Sequence, residues 1–269
     1  MSNKKSKSVS AFFTRIFFVL LLTNAIEDAR ASQNCAALFT SVAEVQSQFI
    51  PMGGVINQQN PRLELANSAC GLVCVTNLMQ IILNQNGERL IEDPVTETND
   101  LNRLRVHSPE NGATFEEIIA MLQTLSAKYF PNRITTTASI LNIRGNFHPD
   151  EDKSIARTDE IVASQLISLH AKTLSKFNIV SFAALYNGEL LGGHGILVLG
   201  VDEQTGYVMI LDPRIGKIAL VSFDEEVILG KKTLVIKYQR SGDSDPYWAT
   251  YQDYGKIVVT GFIGIEVRH

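Results

Sequence analysis

Gly193-His194-Gly195-Ile196-Leu197-Val198-Leu199-Gly200-Val201-Asp202, then Glu203-Gln204-Thr205-Gly206, then Tyr207-Val208-Met209-Ile210-Leu211-Asp212-Pro213, reads as two apolar strands joined by a tight turn. Val and Ile recur in both runs, and residues 202–206 are polar turn formers. If paired residue numbers sum to about 406 or 408, Asp212 lies opposite His194 or Ile196. Either register sets carboxylate and imidazole on one face of neighbouring strands, because side chains alternate with period two.

Outward from this hairpin, further strand-like runs occupy 178–186, 217–222, 233–238 and 257–266. The preceding half is helical in pattern. Ser68 suits an N-cap, and 69–83 carries no charge while Leu72, Val75, Met79 and Ile82 recur near helical spacing. A helix apolar all round belongs at the centre of a fold. Thr114 and Glu117 form a capping-box pattern opening a helix to about residue 128. Residues 159–176 carry an apolar stripe of Ile161, Leu166, Leu169 and Leu174, which predicts another helix, and a strand is expected around 133–141. Helices first and successive strands second make an α+β chain. One domain is expected over 32–269, with insertions at about 84–157 and 223–255.

Two residues in this frame suit covalent chemistry. Cys70 falls in the first turn of the central helix, where unpaired N–H groups and the helix dipole favour a thiolate. Its own N–H is placed as an oxyanion donor, and Gly71 removes bulk beside the sulfur. His194 stands among Gly192, Gly193 and Gly195, which let other groups approach the ring. Asp212 on the return strand is placed to hold the imidazole tautomer while the other ring nitrogen meets the thiol.

The stretches Asn67-Ser68-Ala69-Cys70-Gly71-Leu72-Val73-Cys74, 193–202 and 207–213 resemble the papain-like cysteine peptidase superfamily, and within it the domain that cuts double-glycine leader peptides of bacteriocins. The resemblance implies an α+β papain-like fold with a central N-terminal helix packed on an antiparallel sheet. It implies Cys70 as nucleophile, His194 as general base and acid, and Asp212 as the orienting residue. The implied function is a cysteine hydrolase, a thiol protease cleaving peptide or isopeptide bonds through a thioester. A cell-wall amidase, an acyl transferase, an inactive papain-like module that binds a peptide or protein, and a purely structural exported protein stay open beside it.

The chain departs from this family at one telling place. Glu64 stands where the family has a glutamine donor six residues before the nucleophile, and an ionised glutamate donates nothing. Gln58, Gln59 and Asn67 remain open as replacements. The chain also lacks an exporter's transmembrane bundle and a Walker A loop.

Composition narrows the partners. The 269 residues are 45% hydrophobic and 19% charged with a net charge of −4, and no basic run interleaved with aromatics suggests a nucleic-acid surface. Lys4, Lys5 and Lys7, an apolar stretch at 16–22 and Ala29-Arg30-Ala31 have the order of a signal peptide. Removing residues 1–31 takes five basic and two acidic side chains, leaving 19 against 26 and a net charge of −7. A secreted or periplasmic monomer is expected, acting on a peptide or protein, without nucleic acid, stable membrane association, cofactor or metal. Of the three cysteines, Cys35 and Cys74 either pair or stay reduced, and both arrangements leave Cys70 free.

Overall fold

A computed structural model describes residues 38–64, 68–106, 112–143, 154–167, 175–240, 247–253 and 255–268. The expected leader, Cys35 and Asn67 lie outside these residues, as do Leu169 and Leu174 of the expected helical stripe. Residues 36–268 form one compact unit. Its helices are α1 (Val42–Phe49), α2 (Cys70–Gln85), α3 (Pro94–Asn102), α4 (Phe115–Tyr129), α5 (Ala163–Leu166) and α6 (Tyr247–Tyr251). Its strands are β1 (Ile134–Leu141), β2 (Ala156–Thr158), β3 (Ser175–Tyr186), β4 (Glu189–Val201), β5 (Val208–Asp212), β6 (Lys217–Ile228), β7 (Lys231–Tyr238) and β8 (Lys256–Val267). Among the described residues no helix is long and apolar enough to cross a membrane.

The strands lie in the order β2-β1-β8-β3-β4-β5-β6-β7, and β7 also pairs with β8. Strands β3 to β8 therefore close into a six-stranded barrel, with β1 and β2 attached outside. β8 makes this possible by dividing its length. Ile257 and Val258 pair with β7, while residues from Gly261 to Val267 pair with β1. At Gly261 a Cβ would stand 2.7 Å from Phe115 Cζ and 2.9 Å from Ser139 O, so only glycine permits that crowding.

This closure corrects the expectation of a papain-like layer with a helix on an antiparallel sheet. β6 and β7 run longer than their apolar cores suggest, and β7 reaches β8 to seal a barrel. The helix expected at 159–176 is also corrected. Among the described residues of that stretch only Ala163–Leu166, α5, is helical, residues 159–162 are not, and β3 begins at Ser175. The Asn178 amide on β3 holds the end of α5 by donating to Leu166 O at 2.7 Å.

The alternation on the strands sorts two cores. Leu197 and Leu199 of β4, with Met209 and Leu211 of β5, face α2 and α4. Ile196 and Val198 of β4, with Val208 and Ile210 of β5, face the barrel interior with apolar residues of β3, β6, β7 and β8. α2 is buried along most of its length, from Gly71 to Leu83. Its few polar side chains serve as staples. Asn77 exchanges two hydrogen bonds with the Ile56 backbone, and Gln80 does the same with Ile91. The helix expected from Thr114 forms with a capping box in which Thr114 and Glu117 satisfy each other's N–H groups.

Candidate functional site

α2 begins at Cys70 itself. Its N-cap is Ala69, not Ser68, and Ala69 has no side chain to cap with, so the first turn presents backbone N–H groups directly. Gly71 meets Ile118, whose Cδ1 would lie 2.8 Å from an added Cβ. Its small size serves the packing of α2 on α4. Gly195 lies beside the sulfur, where an added Cβ would be in ordinary contact, 3.9 Å from Cys70 Sγ.

β4 and β5 pair from Val201↔Val208 to Leu197↔Leu211 and then part. The paired numbers at Leu197 and Val198 sum to 408, the register that sets Asp212 toward Ile196. A bulge at Leu199–Gly200 separates this stretch from the turn, and hydrophobic periodicity does not reveal it. Where the strands part, His194 Nε2 and Asp212 Oδ1 lie 2.9 Å apart. The same Oδ1 accepts the Arg214 N–H at 2.9 Å. Both side chains are buried, His194 at 6% and Asp212 at 1% exposure. With Nε2 engaged, Nδ1 is the nitrogen left for sulfur, and Cys70 is hydrogen-bonded to His194.

The electrostatics follow from this packing. Burial alone raises the Cys70 pKa, but the hydrogen bond and positive charge of His194, with backbone bonds from Gly195 and Gly71, bring it below the ordinary thiol value. Burial alone lowers His194, and the bonds to Asp212 and Cys70 outweigh it and push its pKa up to about 9. The arrangement favours a thiolate–imidazolium pair. Cys74, one turn along, is buried with a free thiol, and burial followed by the charges of Cys70 and Asp212 pushes its pKa well up.

Sequence reasoning missed the aromatic wall of this site. The Trp248 ring stacks on His194 with centroids 5.7 Å apart and planes at 26°. Phe182, the cross-strand partner of His194, meets the imidazole edge-on at 5.4 Å and Trp248 at 4.9 Å. The available signal for Trp248 was that it is the chain's single tryptophan, carried on a segment flanked by two strands. Tyr238, also in the barrel interior, is buried at 3% exposure, and burial together with the charge of Asp212 pushes its pKa well up.

No family model matches the chain, and no curated protein matches it. With the closed barrel, this overturns the resemblance to papain-like cysteine peptidases and to the leader-peptidase domain. The reading of the chain as an enzyme, a thiol protease or hydrolase of peptide or isopeptide bonds, is corrected with it. The alternatives of an amidase, an acyl transferase and a papain-like binding module presupposed the same fold and fall with it.

The local chemistry agrees with that correction at Glu64. Its side chain is about half exposed and pairs with Arg103 at 2.9 Å, so it is engaged at the surface, where the family would need an amide donor. Gln59 is exposed, and Gln58 is tied to Pro213 by its backbone with its Oε1 buried and unbonded. A pocket of about 420 Å³ lies elsewhere, lined by residues including Arg89, Asp93, Glu97 and Tyr129. Among the described residues no group of three or more His, Cys, Asp or Glu is placed to hold a metal ion.

Proposed function

We propose that Cys70, His194 and Asp212 form a reactive-thiol centre that bonds covalently to an electrophilic group on a peptide or protein partner. The observation that carries this reading is the hydrogen-bonded chain from Cys70 through His194 to Asp212, set at the N-terminus of a buried helix. Cys70 acts as the nucleophile, in the thiolate form. His194 holds its proton and gives it to the atom that gains charge as the adduct forms. Asp212 fixes the ring through Nε2. The reading ends at the adduct on sulfur. The part-exposed Cys70 is the reachable member, with His194 and Asp212 buried behind it.

The protein is proposed to act as an exported monomer, secreted or periplasmic, with the domain 32–269 remaining after loss of the leader. The lysine-rich start, the apolar stretch and the Ala-x-Ala sequence support export, and the acidic balance speaks against a nucleic-acid partner or an anionic membrane.

Alkylation by limiting iodoacetamide, followed by intact mass between pH 5 and 9, tests this reading. A single rapid adduct is expected that disappears in Cys70→Ala and slows in His194→Gln. A rate rising only near pH 8.5, as for a free thiol, and indifferent to His194→Gln would overturn it.

A further inference from the structure

We propose that Cys74 is the resolving partner of Cys70, and that a hydroperoxide converts the two into a reversible intrahelical disulfide. The two sulfurs converge on one residue of β4. Cys70 accepts a backbone hydrogen bond from Gly195, and Cys74 Sγ donates to Gly195 O across 3.6 Å. The pairing of β4 with β5 ends at Leu197↔Leu211, two residues beyond Gly195, and Cys70 and Cys74 of α2 take up the Gly195 backbone groups. Side chains four apart on a helix are neighbours, with Cβ atoms about 5–6 Å apart. A disulfide needs them at about 4 Å, a closure of one or two ångströms. That adjustment falls on the first residue of α2, which has no side-chain cap holding it.

The chemistry balances with a hydroperoxide as oxidant. The Cys70 thiolate attacks the peroxide oxygen, an S–O bond forms and the O–O bond breaks. The departing alkoxide or hydroxide takes the imidazolium proton of His194, leaving a sulfenic acid on Cys70. Cys74 sulfur then attacks the oxidised sulfur. The S–S bond forms, the S–O bond breaks, and the hydroxyl leaves as water with the Cys74 proton. Each sulfur has lost one electron and the peroxide has gained two. The disulfide removes the nucleophile without destroying it, because a thiol reductant restores both groups. Cys74 is buried one turn from Cys70, and a solitary thiolate at this half-buried place would proceed to irreversible acids.

The inference rests on Cys70 being an ionised nucleophile, so two readouts are kept apart. In a Cys35→Ala background, iodoacetamide reactivity is measured before and after a small excess of hydrogen peroxide, with intact mass and peptide mapping. The expected product has lost two hydrogens, maps to one peptide holding Cys70 and Cys74, and alkylates at least about tenfold more slowly until dithiothreitol is added. With Cys74→Ala added, the same treatment should give a sulfinic acid that dithiothreitol does not reverse. If Cys70 alkylates rapidly but gains two oxygens whether or not Cys74 is present, the pairing is wrong and the reactive-thiol reading stands. If Cys70 does not alkylate rapidly before any oxidant, both fall. The peptide map is made on the chain with Cys74 intact and so does not depend on how Cys74→Ala folds.

Discussion

The two faces of β4 and β5 carry opposite cargo. On the face toward α2, Leu197, Leu199, Met209 and Leu211 meet a helix whose packed side is aliphatic. On the face toward the barrel interior, the same strands carry Ile196, Val198, Val208 and Ile210, and this register ends on His194 and Asp212. Tyr238 and Trp248 join the second face, so polar groups accumulate there and not on the first. One period-two pattern therefore yields a face that holds the fold and a face that ends in chemistry. The site lies where the second face reaches the parting of β4 and β5, and α2 meets it there with Cys70.

The largest effect expected from breaking this contrast comes from the helix face. Leu78 is fully buried, and Leu78→Ala should lower unfolding stability by about 3 kcal/mol. Urea titration measures this, and the alkylation rate of the folded variant should stay within a factor of about two. A collapse of Cys70 reactivity at full folding would show that the two faces are not separable.

On the other face the expectation for alkylation reverses. His194→Gln should also lower urea stability at pH 7, because the charged imidazole's bonds to Asp212 and Cys70 are lost, and unlike Leu78→Ala it should slow alkylation at pH 7 by about tenfold, equivalent to 1.4 kcal/mol. The sign follows from the two shifts. His194 is raised to about 9, so the stabilisation from its charged form is present at pH 7 and is lost as pH rises through about 9. Cys70 is lowered, so its share is lost as pH falls through its folded value. The parent should thus alkylate with a profile displaced to lower pH than that of an ordinary thiol, and His194→Gln should move the profile back up.

A smaller effect of opposite sign tests the polar cost of the barrel interior. The Tyr238 hydroxyl and Asp212 Oδ2 are buried without a hydrogen-bond partner. Tyr238→Phe should raise stability by about 1 kcal/mol, because an unsatisfied buried hydroxyl is removed at nearly constant shape. A loss of stability in thermal denaturation would mean that the hydroxyl is satisfied in solution. The smallest change is expected at the surface. Glu64→Gln exchanges an exposed partner of Arg103 for an amide and should alter neither melting temperature nor alkylation rate. Faster alkylation in that variant would place residue 64 at the sulfur.

Much of this contrast was legible in the chain. The charge-free run after Ser68 gave α2, and parity alone set His194 and Asp212 on one face. The capping box at Thr114 was local and therefore readable. The features that escaped depend on contacts distant in sequence. Barrel closure rests on Val235↔Val258 and Ile236↔Ile257, pairs joined by no turn. The cap position falls on Ala69, one residue after the Ser68 that local capping preference selects. The stripe at 159–176 fitted helical spacing, yet Ile161 and Leu166 use their apolar character to cover the barrel interior, and the chain extends again at Ser175. Trp248 reaches His194 through folding alone, and nothing in its own neighbourhood foretells the stacking.

The seam between β7 and β8 is only two residue pairs wide, whereas β3 and β8 share eleven. A cylinder opens along its shortest weld. Thr233 adds one strap there by donating its hydroxyl to Val259 O at 2.7 Å. Transient opening of the barrel is therefore concentrated along this line, and the amides that pair across it exchange with solvent before those of β3.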